Sequence, residues 1–270
     1  MYACSMRQDL KVALVLIVVS ILSITVLFSY KSAKSPSPNP SEISWTFDYN
    51  SKVWQANRPP PACPEPLVID SPVDVSLASG ILYPGQVRGG DYKPHGGFRF
   101  DQRETNDIEV RAVMEGYVLK ASKYLEAGEE QILLFYVNEC GLMVMHDHFL
   151  TLSPKLQSSL ASLPLNGEGD SRTTNIEPKV YIKKGEVLAT EVGHKNFHGQ
   201  KNIFVDFGLY DLRKTNGVVY DANFRARYLM IDEYGAHALC WFDYLPSEIE
   251  ATVRLLPAGG YEGKVSDYCR

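Results

Sequence analysis

The sequence predicts a mainly β domain, a compact antiparallel β-sheet or barrel-sandwich, with one apolar helix before it and a short helix near its C-terminal end. Three observations carry that expectation. Between residues 67 and 212, apolar and β-branched residues come in runs of strand length, broken by turns rich in Gly and Asn. Helical periodicity is almost missing from that span. The one uncharged run long enough for a different role, VALVLIVVSILSITVLF at 12–28, lies outside it.

That run is interrupted only by Ser20, Ser23 and Thr25. At about 1.5 Å per residue, a helix over 10–30 comes close to the ~30 Å hydrocarbon core of a bilayer. A secretory signal has a shorter apolar stretch and a small-x-small cleavage site. SYKSAKS is a poor site, and no Cys follows to take a lipid. The run therefore reads as an uncleaved transmembrane anchor at 12–30, with a cleaved signal as the alternative. Charges orient it weakly, with Arg7 and Lys11 before it and Lys31 and Lys34 after it. A head as short as 1–11 stays in the cytoplasm, which puts the large remainder on the extracytoplasmic side.

Cysteine usage fits that topology. Cys63, Cys140, Cys240 and Cys269 all follow the anchor, and an even number in an oxidising compartment suggests two disulfides. Cys240 and Cys269 bracket the C-terminal tail and are paired first, leaving Cys63 with Cys140; four cysteines allow three connectivities. No two have the short C-x₂₋₄-C spacing of a structural zinc site. With a formal charge of −5 and no Lys/Arg run beyond pairs, nucleic acid is excluded as a partner.

After the anchor, KSAKSPSPNPSE and RPPPACPEP mark 31–66 as a Pro/Ser-rich tether, and the folded domain is expected over 67–215. IEVRAVMEGYVLKASKY breaks into two strands at Glu115-Gly116. QILLFYVNECGLMVMHDHFLTL reads as two strands joined by a turn at 138–141, and PKVYIKKGEVLATEVG as a strand pair around Lys184-Gly185. In KNIFVDFGLYDL, Ile203, Val205 and Phe207 share one face. A short helix or turn and a polar insertion fill 153–178. In the 216–270 extension, PSEIEATVRLL is the best helical signal: Ser247 can cap it, Glu248 and Glu250 suit the dipole, and Ile249, Val253 and Leu256 form a stripe. Trp241, Phe242, Tyr244 and Leu245 are expected to pack the extension onto the sheet; an exposed aromatic platform for glycans is the alternative.

Four segments carry a family resemblance: HGGFRFD at 95–101, VRAVMEGYVLKA, GLMVMHDHFLTLS, and IKKGEVLATEVGHKNFHGQKNIFVDF. In that order they resemble the H-x-G-x-D, V-x-A-x-x-D-G-x-V, Y-x-H-L-S and V-K-K-G-Q-x-I-G-x-V-G…P-H-L-H-F-E motifs of the M23 (LytM-like, lysostaphin-type) zinc endopeptidases. The resemblance implies that family's compact antiparallel fold, also found in the duplicated hybrid motif superfamily. It also implies a zinc ion held by two imidazoles and a carboxylate, with an open position for water.

The zinc motifs depart from the family pattern. His95 and Gly97 match, but Arg99 stands where the carboxylate ligand belongs, and a permanent cation repels a metal. Counting without a gap from Val192-Gly193 puts Asn202 and Phe204 on the two histidines of H-x-H. His148, or His146, stands where the family has a histidine that assists the water. A shift of two residues in each motif lets His95, Asp101 and Asp206 hold zinc, with His148 as general base; His194 and His198 offer a second pair. Other chemistries lack signatures, since there is no G-x-S-x-G elbow and no Gly-rich phosphate loop. A lipoyl-type acceptor Lys is also missing, because Glu115-Gly116 occupies the expected hairpin turn.

The expectation is thus an anchored pseudoenzyme. It binds a cell-envelope polymer such as peptidoglycan, or regulates an envelope hydrolase, with no cofactor. The alternative is a zinc metalloendopeptidase of cell-wall peptides working through the relocated set.

Overall fold

A computed structural model describes residues 43–222, 224 and 233–269. The expected head and anchor lie outside the described residues; among those described, no helix is long and apolar enough to cross a membrane.

The strands in chain order are β1 (Trp45–Asp48), β2 (Val53–Ala56), β3 (Gly80–Leu82), β4 (Gln86–Arg88), β5 (Asp91–Lys93), β6 (Gly96–Arg99), β7 (Val110–Arg111), β8 (Gly116–Glu126), β9 (Glu129–Val137) and β10 (Leu142–Leu152). After helix α1 (Pro154–Ser159) come β11 (Leu165–Glu168), β12 (Thr174–Asn175), β13 (Tyr181–Ile182), β14 (Val187–Val192), β15 (His194–Phe197), β16 (Gln200–Asn202) and β17 (Phe204–Asp211); helix α2 (Ser247–Leu255) lies near the end. The described residues are mainly β, as expected.

One sheet dominates, in the order β11-β8-β9-β10-β17-β6-β3, with β12, β13, β14 and β7 attached to it. Its path is antiparallel apart from the parallel β11–β8 pair. The expected turn at 138–141 joins β9 to β10: Leu142 N donates to Asn138 Oδ1 at 2.9 Å, and Gly141 takes φ 95. Lys184-Gly185 does make a turn, but its flanking strands do not pair with each other. β13 runs against β8, while β14 runs against β10 and β7.

Alternation along the strands creates two faces. Phe98, Val118, Leu134, Val144, Val205 and Phe207 point inward into the larger core. Trp241 and Phe242, both fully buried, fill that core from the C-terminal extension, with Trp241 5.2 Å from Phe98 and 5.0 Å from Phe207 between ring centroids. No aromatic platform is left exposed there. α2 buries Val253 of its stripe, but it starts at Ser247 behind Pro246, so Ser247 makes no side-chain cap. Both expected disulfides, Cys63–Cys140 and Cys240–Cys269, are formed.

The outer face carries a second cluster of Tyr117, Leu133, Phe135, Met143, Met145 and Tyr210, over which β1 and β2 lay Trp45, Phe47 and Trp54. This corrects the tether. The compact unit begins at Ile43, because Trp45, Phe47 and Trp54 find an apolar face to cover while Tyr49 stays exposed.

Candidate functional site

Beside the covered half of the outer face lies a groove of about 430 Å³. Its floor follows from register. β6 and β17 pair Gly97 with Asp206 and Arg99 with Phe204, and β10 sets Asp147 opposite Asp206. Asp206, Asp147 and His95 therefore emerge on one side. Gly97 is needed there, since a Cβ at this position would stand 2.4 Å from Val205 O and 3.1 Å from Asp206 Oδ1. The Asp206 side chain leans across the strand into that space.

His148 reaches the same side by a different device. Strict alternation would send it inward with His146, but β10 bulges between His146 and Phe149, and His148 takes φ 67. A bulge re-aims a side chain at the cost of local strain. It also decides between the two histidines. His146 is fully buried, with Phe149 and Phe207 at 5.4 and 5.2 Å between ring centroids, and burial pushes its imidazole down to about 3.

His95 Nε2 lies 3.0 Å from Asp206 Oδ2, and His148 Nε2 lies 3.7 Å from the same oxygen. Burial favours the neutral forms of both His95 and Asp206. For Asp206 the adjacent imidazoles and the Arg88 guanidinium outweigh burial and hold the carboxyl well below its usual range. Arg88 is fixed by donating to Tyr83 O at 2.7 Å and His95 O at 2.8 Å. Asp147 goes the other way, its carboxyl pushed up by burial, while it accepts from Tyr124 Oη at 2.9 Å and from His148 N at 2.8 Å.

Asp101 does not join them. It follows β6 and accepts from Arg99 Nη2 and Nε, and from Ser79 Oγ at 3.2 Å. Arg99 also donates to Asn202 Oδ1 at 3.2 Å. The relocated set therefore loses its first carboxylate, because the cation next to it in sequence claims it.

Of the two residues that the count puts on H-x-H, Asn202 ends the β15–β16 hairpin and Phe204 opens β17 on the same side as Asp206, which lines the groove. Phe204 packs its ring 4.3 Å from His148. At the position the resemblance assigns to zinc, the chain thus offers His95 and Asp206, with Arg99 and Phe204 beside them. One imidazole and one carboxylate already in contact, next to a guanidinium, do not fit that ion.

A different donor group was not legible as a set. Among the described residues, Glu126, His148 and His194 are three metal-capable side chains whose donor atoms lie within 4.8 Å of one another. His194 was visible as one of a loop pair; His198 is outside the group. Glu126 gave no signal, since a carboxylate before an Ala-Gly turn reads as an ordinary hairpin residue.

Neither a protein-family model nor a curated protein matches the sequence. A solved structure of Helicobacter pylori Csd3 is similar over 70% of this chain and 40% of its own, at 12% identity and a TM-score of 0.35. A likeness that low has no bearing on the site.

Proposed function

We propose that this chain is a membrane-anchored, extracytoplasmic M23 peptidase-like protein. Its family zinc centre is lost, and its outer-face groove binds a cell-envelope polymer of the peptidoglycan type without cutting it. One observation supports the reading: Arg99, which stands where the resemblance places the metal-binding carboxylate, is locked onto Asp101 and Asn202. The groove keeps binding character without that centre. Tyr124, Tyr210 and Tyr234 line it together with Asp147, Asp206 and His95. Tyrosines give flat amphipathic surfaces, and ionised carboxylates accept from the hydroxyls and amines that a glycan–peptide polymer presents.

The test is co-sedimentation of the full chain, purified in detergent, with insoluble peptidoglycan. Retention is expected, with no release of soluble peptide. Asp147→Asn, which keeps shape but replaces a groove carboxyl by an amide, should weaken retention by roughly 5–30-fold, the equivalent of one or two kcal/mol. Soluble fragments released by the wild type, or retention unchanged in the variant, would overturn the reading.

A further inference from the structure

We infer that Glu126, His148 and His194 form a site for one divalent transition-metal ion of the zinc class, displaced from the family position and open to the groove. The inference does not depend on polymer binding.

Two strand ends and one bulge build the site. Glu126 closes β8, ahead of a turn in which Ala127 and Gly128 both take positive φ. His148 is delivered by the β10 bulge. His194 opens β15 directly after Gly193, whose N donates to His148 O at 2.8 Å, so the two imidazoles are tied through the backbone. Glu126 Oε2 lies 3.5 Å from His148 Nδ1 and 3.9 Å from His194 Nε2. Donors about 2 Å from a tetrahedral zinc lie about 3.3 Å apart; the two Glu126 contacts are a few tenths of an ångström longer and all three donors lie within 4.8 Å of one another, so closure draws them inward by at most about 1.5 Å.

The donors are also unspent. His148 Nδ1 and His194 Nε2 are buried without a hydrogen-bond partner, in residues 8% and 1% exposed. Two other carboxylates stand close by, but both are taken: Glu129 accepts from the backbone of Lys195 and Asn196, and Glu168 from that of Ala127 and Gly128. Glu126 keeps only a long contact from Tyr124 Oη, at 3.5 Å. Glu126 and His148 both line the groove, leaving a coordination position open on that side.

Outer partners complete the arrangement. Asp206 lies 3.7 Å from His148 Nε2, the carboxylate–histidine pairing that orients metal-bound imidazoles. Gln131 Nε2 lies 3.3 Å from His194 Nδ1, and the Oε1 of the same amide has no partner. Gln131 Nε2 also donates to Gly193 O at 3.2 Å; metal binding requires the amide to give up that bond and turn, so that Oε1 accepts from Nδ1–H and His194 Nε2 is left for the ion.

The test is zinc and cobalt titration of the untagged full chain in detergent, with the cobalt absorption spectrum as a second readout. One equivalent should bind, with a tetrahedral N/O cobalt spectrum. Glu126→Gln and His194→Gln should each weaken binding by more than about 100-fold, and Asp206→Asn by about 10–100-fold. Asp101→Asn should not change it. Glu126 is partly exposed, so its variant loses no packing, and thermal melting in EDTA checks that each variant folds. No saturable binding by the folded wild type would refute the site. Retention in Glu126→Gln with loss in His95→Gln would put the ion at the family position instead.

Discussion

The C-terminal tail holds one wall of the groove, and its disulfide can be removed. Gln86 Nε2 donates to Gly263 O at 2.8 Å and Val265 O at 2.5 Å; Val87 N donates to Glu262 Oε2 at 2.9 Å, and Ser266 Oγ to Pro84 O at 2.6 Å. The β4–β5 hairpin leading to His95 is therefore pinned by residues 262–266, and Cys240–Cys269 closes that tail. With a separation of 29 residues, the loop-entropy relation gives the bridge about 3.6 kcal/mol; Cys63–Cys140, with 77, comes to about 4.5 kcal/mol. Urea unfolding of Cys240→Ser/Cys269→Ser should show the smaller of the two losses, yet only this variant should speed hydrogen exchange at 86–93. A Cys63→Ser/Cys140→Ser variant should lose more global stability and leave that hairpin protected. Equal exchange in both variants would refute the tail's role in holding the groove, whatever the stabilities.

Two other perturbations test the site's supports. Gly97→Ala drives a Cβ to 2.4 Å from Val205 O, so β6 and β17 must separate; a loss of about 1–3 kcal/mol or more is expected in chemical denaturation, with groove binding weakened. Asp211 is buried at 2% exposure, and although burial alone would raise its carboxyl, Arg213 and Lys214 hold it below the ordinary value. A depressed carboxylate stabilises the fold above its unfolded value of about 3.9, and this contribution fades as pH falls through the lower folded value. The stability gap between wild type and Arg213→Gln should therefore be full near neutrality and shrink below about pH 4, as read by denaturant midpoints.

Local chemistry was legible wherever neighbouring residues decide the outcome. The 138–141 turn, the break at Glu115-Gly116, the alternation of Val205 and Phe207, and both cysteine pairs follow from short patterns or simple bracketing. The β1–β2 hairpin was not legible, because its proline-rich flanks resemble a tether, and only the apolar outer face of β8, β9, β10 and β17 gives Trp45 and Trp54 something to cover. The failed pairing of β13 with β14 has the same origin. The turn at Lys184-Gly185 is real, but longer strands on either side compete for its two arms.

The site was half legible because period-two alternation predicts faces only while a strand stays regular. His95 and Asp206 obey alternation and met as soon as the register was shifted by two. Asp101 obeys it too, yet it lies beyond the end of β6, where an ion pair with Arg99 costs nothing in backbone geometry. His148 breaks alternation, and that break makes the site, since a regular β10 would put its imidazole into the core with His146. One bulge thus links the pair His95–Asp206 to the group Glu126–His194, with His148 turning Nε2 to the first and Nδ1 to the second. If the metal site holds, two imidazoles and a carboxylate gather on the side of His148 that faces away from Asp206. Arg99, held by Asp101 and Asn202, is outside that group and is compatible with a cation there.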